Sequence, residues 1–434
     1  MDRIEPGEPP ETMRRGGLDE LQLARLDALV KRLRGAVPYY EEALSAVPDI
    51  RSLSELAALP FTTKRTLRDH YPFGLLAVPQ ERVVRVHASS GTTGKPTVVA
   101  YTAADMALWG EVVARVMAMA GVTSADIVHN AFGYGLFTGG LGFGIGSEVV
   151  GASTVPVSGG NTARQIMLLE DFGASVLCAT PSYALVLAEA LAEAGIGVER
   201  LALRCGFFGA EPWGESVRTE IETKLGLRAF DSYGLSEIIG PGVAGECEAS
   251  AGLHIAEDHF LPEVVDPDSG SPLGDGEEGE LVITTLTKEA LPLLRYRTRD
   301  RVCLDHTRCA CGRTSVRMSK VLGRTDDMLI VRGVNVFPSQ IEEALLSVDG
   351  ASPHYVIYVD RLRDGLDSLE IAVERALGHD ASMAGTIASG AKKRIEDILG
   401  IRVSVDVVAP KQIARSQGKA VRVVDRRKDE GGKN

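Results

Sequence analysis

The loop that decides the fold reads Ser89-Ser90-Gly91-Thr92-Thr93-Gly94-Lys95-Pro96-Thr97. It connects two runs rich in β-branched residues, Val83–Ala88 and Val98–Tyr101, which predict a pair of strands. In such a loop the glycines let backbone N–H groups approach an anion, the hydroxyls donate to its oxygens, and Lys95 offsets its charge. The pattern therefore predicts a phosphate-binding loop, with a Ser/Thr-rich surface turn as the alternative.

This loop differs from that of the P-loop NTPases. In the NTPase motif a Ser or Thr follows the lysine and holds magnesium, and a helix follows the loop. Here Pro96 follows Lys95, and the next run, Val98–Tyr101, has the pattern of a strand. The loop is therefore not a P-loop NTPase signature.

Hydrophobic periodicity along the chain predicts an α/β fold. From about residue 83 to 240, short β-branched runs alternate with helical patterns such as Ala103–Met119. Runs at 255–305, separated by Asp/Gly turns, predict a more antiparallel, β-rich subdomain. The alternation of strand and helix patterns then restarts, so we expect a large N-terminal domain at 1–324 and a small C-terminal α/β lobe at 325–434.

Composition bounds the classes of function. The 434 residues include 47 Lys and Arg against 59 Asp and Glu, a net charge of −12, which argues against nucleic acid or an anionic membrane as a partner. No apolar run reaches the roughly 18 residues of a membrane span, and the first residues lack the apolar segment of a secretion signal. Six cysteines in so long a chain rule out a disulfide framework. We therefore expect a soluble, cytoplasmic protein.

Five further motifs follow the loop in order. They are Gly209-Ala210-Glu211-Pro212, Asp231-Ser232-Tyr233-Gly234-Leu235-Ser236-Glu237, Tyr296-Arg297-Thr298-Arg299-Asp300, Gly323-Arg324-Thr325-Asp326-Asp327 and Gly418-Lys419. Together with the loop, they resemble the motifs of the acyl-adenylate-forming enzymes, which include acyl-CoA synthetases, nonribosomal adenylation domains and luciferases. The runs NAFGYGLFTGGLG at 130–142 and VPVSGGNT at 155–162 resemble the phenylacetate–CoA ligase branch. The resemblance covers residues 36 to 427.

The resemblance implies an adenylate-forming fold, with α/β subdomains and a β-rich subdomain in the large domain and a mobile C-terminal lobe. Beside the loop, the implied nucleotide-binding residues are Gly209, Ala210, Glu211, Pro212, Asp231, Ser232, Tyr233, Gly234, Ser236, Asp300 and Arg324. The ring of Tyr233 would stack on the adenine, and Asp300 would accept the ribose hydroxyls, because a carboxylate is a double acceptor. Glu237 would hold the magnesium that bridges the ATP phosphates, since a hard cation prefers carboxylate oxygen.

Lys419 has the most demanding implied role. Adenylation joins a carboxylate to an α-phosphate, and one mobile cation can bridge the negative charge on the attacking and leaving oxygens. By composition alone, Lys419 would instead be a solvated lysine in a basic tail. The resemblance also makes Asp326 the hinge about which the C-terminal lobe swings between adenylating and thioester-forming arrangements, and it places Gly333 along the approach of the thiol of CoA.

A substrate pocket is suggested by aromatic and glycine residues in the run 130–142. The predicted slot for a planar aryl ring consists of Phe132, Tyr134, Phe137, Gly139 and Gly140, with Gly142 also contributing. An ordinary core is the alternative for these residues. Gly144-Ile145 follows, where we expect the phenylacetate branch to carry His-Tyr. This smaller, less polar wall leaves room beside the slot and predicts a ring-substituted aryl acid rather than phenylacetate itself as the preferred substrate.

Four soft or borderline ligands fall in two pairs. Cys309 and Cys311 form a tight pair on a turn, and Cys247 with His254 precedes them by about 55 residues. Four such ligands make a closed tetrahedral zinc site, which would be structural rather than catalytic. Reduced, unpaired thiols are the alternative.

The resemblance implies an ATP-dependent aryl-carboxylate–CoA ligase that acts on phenylacetate or a substituted aryl acid. The acid and Mg·ATP would give acyl-AMP and pyrophosphate, and CoA would then give acyl-CoA and AMP. One alternative is an aryl-acid-activating enzyme of secondary metabolism that passes the acyl group to a carrier protein or an amine. Another is a nucleotide-binding protein without catalysis. The sequence identifies neither the acid nor the oligomeric state, for which a homodimer is one option.

Overall fold

The computed structural model describes residues 9–89, 96–332, 334–361, 367–415 and 421–427. Within these ranges the α-helices are α1 (Arg15–Ala36), α2 (Pro38–Ala43), α3 (Lys64–Asp69), α4 (Ala103–Met119), α5 (Gly139–Val150), α6 (Thr162–Asp171), α7 (Pro181–Glu193), α8 (Glu215–Leu225), α9 (Pro338–Leu346) and α10 (Ala384–Leu399). The strands are β1 (Val83–Ser89), β2 (Thr97–Thr102), β3 (Ile127–Asn130), β4 (Ser153–Val155), β5 (Val176–Ala179), β6 (Cys205–Gly209), β7 (Arg228–Leu235), β8 (Gly240–Glu246), β9 (Leu253–Ile255), β10 (Phe260–Val265), β11 (Gly279–Thr285), β12 (Tyr296–Val302), β13 (Leu304–Asp305), β14 (Arg317–Met318), β15 (Gly323–Arg324), β16 (Leu329–Val331), β17 (Val334–Val336), β18 (Ala351–Arg361), β19 (Asp367–Arg375), β20 (Ser404–Val408) and β21 (Val423–Asp425).

The chain divides into two compact units. The first comprises the described residues within 1–179, 199–210 and 228–321, and the second those within 180–198, 211–227 and 322–434. The second unit therefore contains α7 and α8 in addition to the C-terminal residues. The domain division predicted at 324 and 325 stays a prediction, because these units do not show which segments move as one body.

A mixed sheet forms the centre of the first unit. Among the described residues it has nine strands, in the order β13-β14-β9-β8-β7-β6-β5-β3-β4. Strands β3 to β7 pair in parallel, and β8, β9, β13 and β14 extend the sheet antiparallel. Every residue of β5 and β6 is buried, as expected for strands covered on both faces. The α/β prediction is confirmed.

Helix α4 shows why the sequence folds as predicted here. Its bounds are those of the predicted helix, Ala103–Met119. Thr102 begins the helix with a capping box, since its hydroxyl accepts from Asp105 N at 3.1 Å and its own N–H donates to the Asp105 carboxylate at 2.9 Å. The apolar face of the helix packs against α5 and β8.

Residues 255–305, which were predicted to form a more antiparallel subdomain, contain antiparallel strands. Strands β10, β11 and β12 pair antiparallel, with Val282 opposite both Glu263 and Arg297. All residues of β11 are buried. This subdomain positions β12, which carries Asp300.

The second unit contains the α/β arrangement predicted for the C-terminal residues. Strands β18 to β21 form a sheet in the order β20-β19-β18-β21, and α9 and α10 pack on it. Helix α10 turns Ile387, Ala391, Ile395 and Leu399 inward at four-residue spacing, the period of a helix with one apolar face. Of the helices α1–α10, which are those of the described ranges, none combines the length and apolar character that crossing a bilayer requires.

Candidate active site

The predicted phosphate-binding loop begins at the end of β1. Strands β1 and β2 pair antiparallel with Ser89 opposite Thr97, so the predicted strand pair is confirmed. The Ser89 hydroxyl donates to Glu237 Oε1 at 3.4 Å. The start of the loop therefore lies beside the residue predicted to hold magnesium. Residues Ser90–Lys95 lie outside the described residues.

Glu237 is a carboxylate with little solvent access, directly after β7. Glu237 is 5% exposed, and its Oε1 atom lies 3.6 Å from Nζ of Lys64. Lys64 begins α3, whose first turn is capped by Thr63. Sequence reasoning missed Lys64, because its only signal is a lysine after two threonines in a short helix. The site therefore has a second cation besides the predicted Lys95.

A buried lysine lies behind this carboxylate. Lys288 is fully buried, and its ammonium donates to the carbonyl oxygens of Ile238 at 2.7 Å and Glu237 at 3.3 Å. It also lies 4.9 Å from the centre of the Tyr101 ring, a cation–π contact. Burial lowers the pKa of Lys288 to about 8. The lysine thus ties down the backbone that carries Glu237, a role that sequence reasoning did not predict.

Two motifs predicted to bind the nucleotide meet at neighbouring strands. Gly209 at the end of β6 is opposite Ser232 in β7. A Cβ on Gly209 would lie 2.1 Å from the Ser232 carbonyl oxygen, so this approach requires glycine. Ala210 follows with φ of 69°, a left-handed turn that ends the strand. Asp231 is anchored by its N–H, which donates to Glu246 at 2.8 Å.

The Tyr233 and Asp300 side chains meet although 67 residues separate them in the chain. The Tyr233 hydroxyl donates to Asp300 Oδ2 at 2.6 Å. Both residues are buried, so this charge-assisted hydrogen bond is short and fixes the carboxylate. On the same strand as Tyr233, Gly234 approaches Gly240 closely enough that a Cβ would lie 1.9 Å from the Gly240 carbonyl oxygen.

Predicted residues in the second unit make local contacts. Glu211 accepts from Ser182 N in the first turn of α7 at 2.7 Å, where a carboxylate is favoured by the helix dipole; Pro212 after it is exposed. Arg324 holds the Asp326 carboxylate through two contacts of 2.9 and 3.1 Å. Gly333, Gly418 and Lys419 lie outside the described residues.

The residues of the predicted aryl slot differ in exposure. Phe132 is buried and stacks on Phe143 with ring centres 5.3 Å apart, which agrees with the core alternative for this residue. Phe137 is 53% exposed. Tyr134 is half-buried, and its hydroxyl accepts from Asn130 Nδ2 at 3.0 Å. Of the three aromatic residues, Tyr134 is therefore the one with a polar group in a partly open position.

Glycines on one face of α5 make room for Tyr134. A Cβ on Gly140 would lie 3.1 Å from Tyr134 Cδ2, and one on Gly144 would lie 3.4 Å from the Tyr134 hydroxyl. The ring thus lies along a groove formed at four-residue spacing. Gly139 precedes this face, and its Cβ would meet the Phe132 ring at 3.3 Å.

The nucleotide motif and the slot motif touch at Ser236. Its hydroxyl lies 3.0 Å from that of Thr138, which precedes α5. Residues predicted to hold ATP and residues predicted to hold an acid are therefore adjacent, as joining the two molecules requires.

The two Cys/His pairs converge in the first unit. Ligand atoms of Cys247, His254, Cys309 and Cys311 all lie within 4.8 Å of one another. The Cys247 and Cys309 sulfurs are 3.8 Å apart, and Cys311 Sγ is 3.5 Å from His254 Nε2. Tetrahedral zinc with ordinary bond lengths requires about 3.8 Å between sulfurs and about 3.5 Å between sulfur and nitrogen. The separations fit zinc.

The environment of His254 also suits a metal ligand. Its Nδ1 lies 2.9 Å from the Ser315 hydroxyl, which leaves Nε2 facing the sulfurs. Burial, with help from Arg313 and Arg317, lowers the pKa of His254 to about 4, so the ring is neutral at neutral pH. The turn at Cys309 is closed by Gly312, whose φ is 92°.

The mixed sheet, the β-rich subdomain, the smaller C-terminal domain and the motifs gathered around Glu237 define an adenylate-forming enzyme. A model of the AMP-binding enzyme family matches residues 40–287, and a model of the AMP-binding enzyme C-terminal domain matches residues 333–427. The chain therefore belongs to the AMP-binding enzyme family.

Relatives with assigned names match over almost the whole chain. A phenylacetate-coenzyme A ligase of Thermus thermophilus is 50% identical over 96% of this chain and 98% of its own length. One of Escherichia coli is 49% identical over 97% of each chain. Among solved structures, a 2-hydroxyisobutyryl-CoA ligase in complex with R3-HIB-AMP matches with a TM-score of 0.90 and 28% identity, over 99% of this chain and 95% of that chain.

Proposed function

We propose that the protein is an ATP-dependent aryl-carboxylate–CoA ligase. The acid attacks the α-phosphate of ATP to give acyl-AMP and pyrophosphate, and the thiolate of CoA then attacks the mixed anhydride to give acyl-CoA and AMP. The observation that carries this proposal is the meeting of Ser89, Lys64 and Glu237, together with the Tyr233–Asp300 hydrogen bond that joins β7 and β12. The names of the relatives at about half identity support CoA as the acceptor and an arylacetate as the acid.

The residues around Glu237 suit Mg·ATP. A hydroxyl and a carboxylate are hard oxygen ligands. Lys64 supplies a positive charge 3.6 Å from Glu237, and phosphate oxygens would become the partner of Lys64 in place of Glu237. Magnesium, when bound, would neutralise phosphate charge at Glu237. Lys288 holds the Glu237 backbone in place, so the carboxylate needs little reorganisation before the reaction.

The remaining nucleotide contacts follow the motif order. Asp300 accepts the ribose hydroxyls, the Tyr233 ring stacks on the adenine, and the backbone around Gly209–Pro212 forms the wall of the base pocket. The loop Ser89–Lys95 donates to the phosphates. Arg324 lies beside the ribose and phosphates once it releases Asp326.

The two half-reactions use different parts of the C-terminal lobe, residues 325–434. Lys419 bridges the acid and the α-phosphate in the first step, where negative charge accumulates on both. Asp326 is the hinge for the second step, in which Gly333 lines the path of the CoA thiol. Tyr134 and the glycines of α5 hold the aryl group.

The Cys/His cluster holds structural zinc. The four ligands are Cys247, His254, Cys309 and Cys311, and the Cys247–Cys309 and Cys311–His254 separations match two edges of a zinc tetrahedron. All four are protein ligands, so no position remains open for a substrate. The ion would tie the turn at 309–312 to β9 and the residue after β8.

Two measurements on the purified protein test the ligase proposal. Pyrophosphate release from ATP should require an aryl acid, and thioester should form when CoA is added without any carrier protein. Acid-dependent pyrophosphate release without a CoA thioester would instead identify an enzyme that uses a carrier protein or an amine. Absence of pyrophosphate release with every aryl acid would contradict the proposal.

A further inference from the structure

An arginine four residues before Lys419 is held between two carboxylates in the second unit. Arg415 Nη1 and Nη2 each donate to Glu374 at 2.8 Å, in the two-pronged geometry of a strong ion pair. Its Nε and Nη2 also donate to Glu189 at 3.2 and 3.3 Å. One guanidinium thus bridges β19 and α7.

The carboxylates of this cluster have further partners. Glu189 accepts from His354 Nε2 at 2.9 Å, and Glu374, only 1% exposed, accepts from Ile413 N at 2.7 Å. Burial alone would raise the pKa of Glu189, but His354 and Arg415 lower it to about 2. We call Glu189, His354, Glu374 and Arg415 the Glu189 anchor. Its groups are largely buried and fully paired, so removing one leaves its partners without compensation.

A second arginine holds the chain on the other side of Lys419. Arg422 Nη1 donates to the Pro353 carbonyl oxygen at 2.9 Å, and its guanidinium lies 4.4 Å from the centre of the Tyr355 ring. Its Nη2 is 3.5 Å from the Ser182 hydroxyl in the first turn of α7. The chain is therefore fastened to α7 both before and after residues 416–420.

We propose that Glu189 is a positioning residue for adenylation. It acts through Arg415, fixing to α7 the point at which the chain enters the segment that carries Lys419. Glu189 precedes the hinge residue Asp326 in the chain, and its partners Arg415 and His354 follow it. A turn about that hinge would part Glu189 from Arg415 and His354, so the contact belongs to one arrangement only. We assign it to the adenylating arrangement, because Arg415 lies four residues before Lys419, and we give it no such role once acyl-AMP has formed. This inference rests on the function proposed above.

The chain offers a matched control on the same helix. Glu193 is one turn after Glu189 on α7 and pairs with Lys411, so it joins the same two segments. Its side chain is 52% exposed and that of Lys411 is 51% exposed, whereas Glu189 is 14% exposed. An exposed ion pair of this kind contributes little. Glu193→Gln should leave both half-reactions unchanged.

The experiment compares the half-reactions of Glu189→Gln, Glu193→Gln and wild type. Adenylation is followed as phenylacetate-dependent pyrophosphate release from ATP without CoA. Thioester formation is followed separately, from supplied phenylacetyl-AMP and CoA. For Glu189→Gln we expect adenylation to fall about 10- to 100-fold, as for a lost buried charge pair, while thioester formation stays within about twofold of wild type.

Arg415→Lys and Glu374→Gln sharpen the test. Lysine keeps the charge but lacks the planar fork that grips Glu374 with two nitrogens while reaching Glu189, so Arg415→Lys should show the same one-sided loss as Glu189→Gln. Glu374→Gln disturbs β19 and the 411–415 segment, so it should lower thermal stability more than Glu189→Gln.

The outcomes separate the inference from the proposed function. Equal losses in both half-reactions for Glu189→Gln, or no loss in either, would overturn the positioning role. A loss of the same size in Glu193→Gln would also overturn it, because any charge on α7 would then suffice. Wild-type protein that releases no pyrophosphate would instead refute the ligase proposal.

Discussion

Two glutamates with little solvent access, Glu237 in the first unit and Glu189 in the second, face positive charge in different ways. Glu189 meets Arg415 and His354 at hydrogen-bonding distances of 2.9 to 3.3 Å. Glu237 lies 3.6 Å from Lys64 and 3.4 Å from the Ser89 hydroxyl, both longer than a good charge-assisted contact. Among the described residues, Glu189 is saturated by its protein partners, whereas Glu237 keeps capacity for a ligand.

The difference shows how a fold separates structural from functional charge. Around Glu189 the compensating groups are rigid and nearly enclosed. Around Glu237 the partner, Lys64, is 40% exposed and begins a six-residue helix, so Lys64 can pair with a phosphate instead and leave Glu237 to a cation. Burial is similar at the two sites, and it is the quality of the pairing that distinguishes them.

The largest effect should come from Glu237, the carboxylate that keeps capacity for a ligand. Glu237→Gln removes the charge while keeping the shape, so acid-dependent pyrophosphate release should fall about 10²- to 10³-fold, the cost of one preorganised electrostatic contact. Raising the magnesium concentration should recover part of the activity. Glu189→Gln should not respond to magnesium. The measurement is a magnesium titration of both variants, and identical curves would erase the distinction between the two carboxylates.

The cysteine cluster is a third polar site, and we propose that a metal rather than another protein group completes it. One equivalent of zinc per chain should survive desalting, and Cys309→Ser should lose it together with several degrees of melting temperature, because metal binding contributes to folding free energy. Elemental analysis and thermal unfolding check this. As the matched control, Cys303→Ser, outside the cluster, should keep its zinc. Metal-free wild type whose stability does not change on adding zinc would contradict the site.

Glu342 is a buried carboxylate that differs from both Glu189 and Glu237. It lies on α9, 8% exposed, with Arg422 Nη2 3.6 Å away. Burial raises its pKa to about 7, although Arg422 opposes this shift. Because the folded pKa exceeds the unfolded value of 4.5, the folded protein binds more protons between about pH 4.5 and 7, and stability from this group is lost as pH rises through that window.

Replacing Glu342 by Gln should remove this pH dependence. The free energy of unfolding of Glu342→Gln minus that of wild type should increase by about 3 kcal/mol between pH 4.5 and 7.5. For Glu189→Gln the difference should be flat over that range and should slope with the opposite sign between about pH 2 and 4.5, since the pKa of Glu189 is lowered to about 2 and its contribution is lost as pH falls. Denaturant unfolding at several pH values measures both. A flat difference for Glu342→Gln would show that its charge is compensated.

Local sequence patterns predicted most of the fold. Helix α4 and the strand pair β1–β2 follow from periodicity and from capping residues that lie within a few positions of each other. The grouping of α7 and α8 with the C-terminal residues was not predicted, because it depends on contacts between residues far apart in the chain. Local patterns carry little information about such contacts.

The residues of the candidate site also divide into those that the sequence predicted and those that it did not. The convergence of Cys247 and His254 with Cys309 and Cys311 was one of two alternatives that the sequence left open, because it gives no distance between the two pairs; the structure brings the four residues together. Lys64 and Lys288 were not foreseen, since lysine is common and neither lies in a recognisable motif. The resemblance implied that Tyr233 and Asp300 both bind the nucleotide but implied no contact between them, so their 2.6 Å hydrogen bond is new information.

The smallest effect concerns the acid. The sequence suggested that Gly144, in place of a larger residue, leaves room beside the aryl slot. The structure refines this idea, because the Tyr134 hydroxyl lies 3.4 Å from the position of a Cβ on Gly144. Ile145 instead packs toward Gly110 on α4, so that a Cβ on Gly110 would lie 2.8 Å from Ile145 Cγ2. The space beside Gly144 therefore contains a polar group, the Tyr134 hydroxyl.

Among the described residues, Asn130 donates to the oxygen of the Tyr134 hydroxyl, so the hydroxyl proton remains available for a hydrogen bond to a substrate. We therefore expect ring-substituted acids that carry an acceptor, such as hydroxyphenylacetate or a hydroxybenzoate, to have higher kcat/KM than phenylacetate. Tyr134→Phe should lower kcat/KM for the substituted acids by about 10-fold, the scale of one pocket contact, and leave that for phenylacetate within about twofold. The measurement is kcat/KM for wild type and variant across benzoates, arylacetates and medium-chain fatty acids at fixed ATP and CoA. Equal losses for substituted and unsubstituted acids would mean that the hydroxyl supports the slot without reading the substituent, and a fatty acid as best substrate would contradict the aryl slot itself.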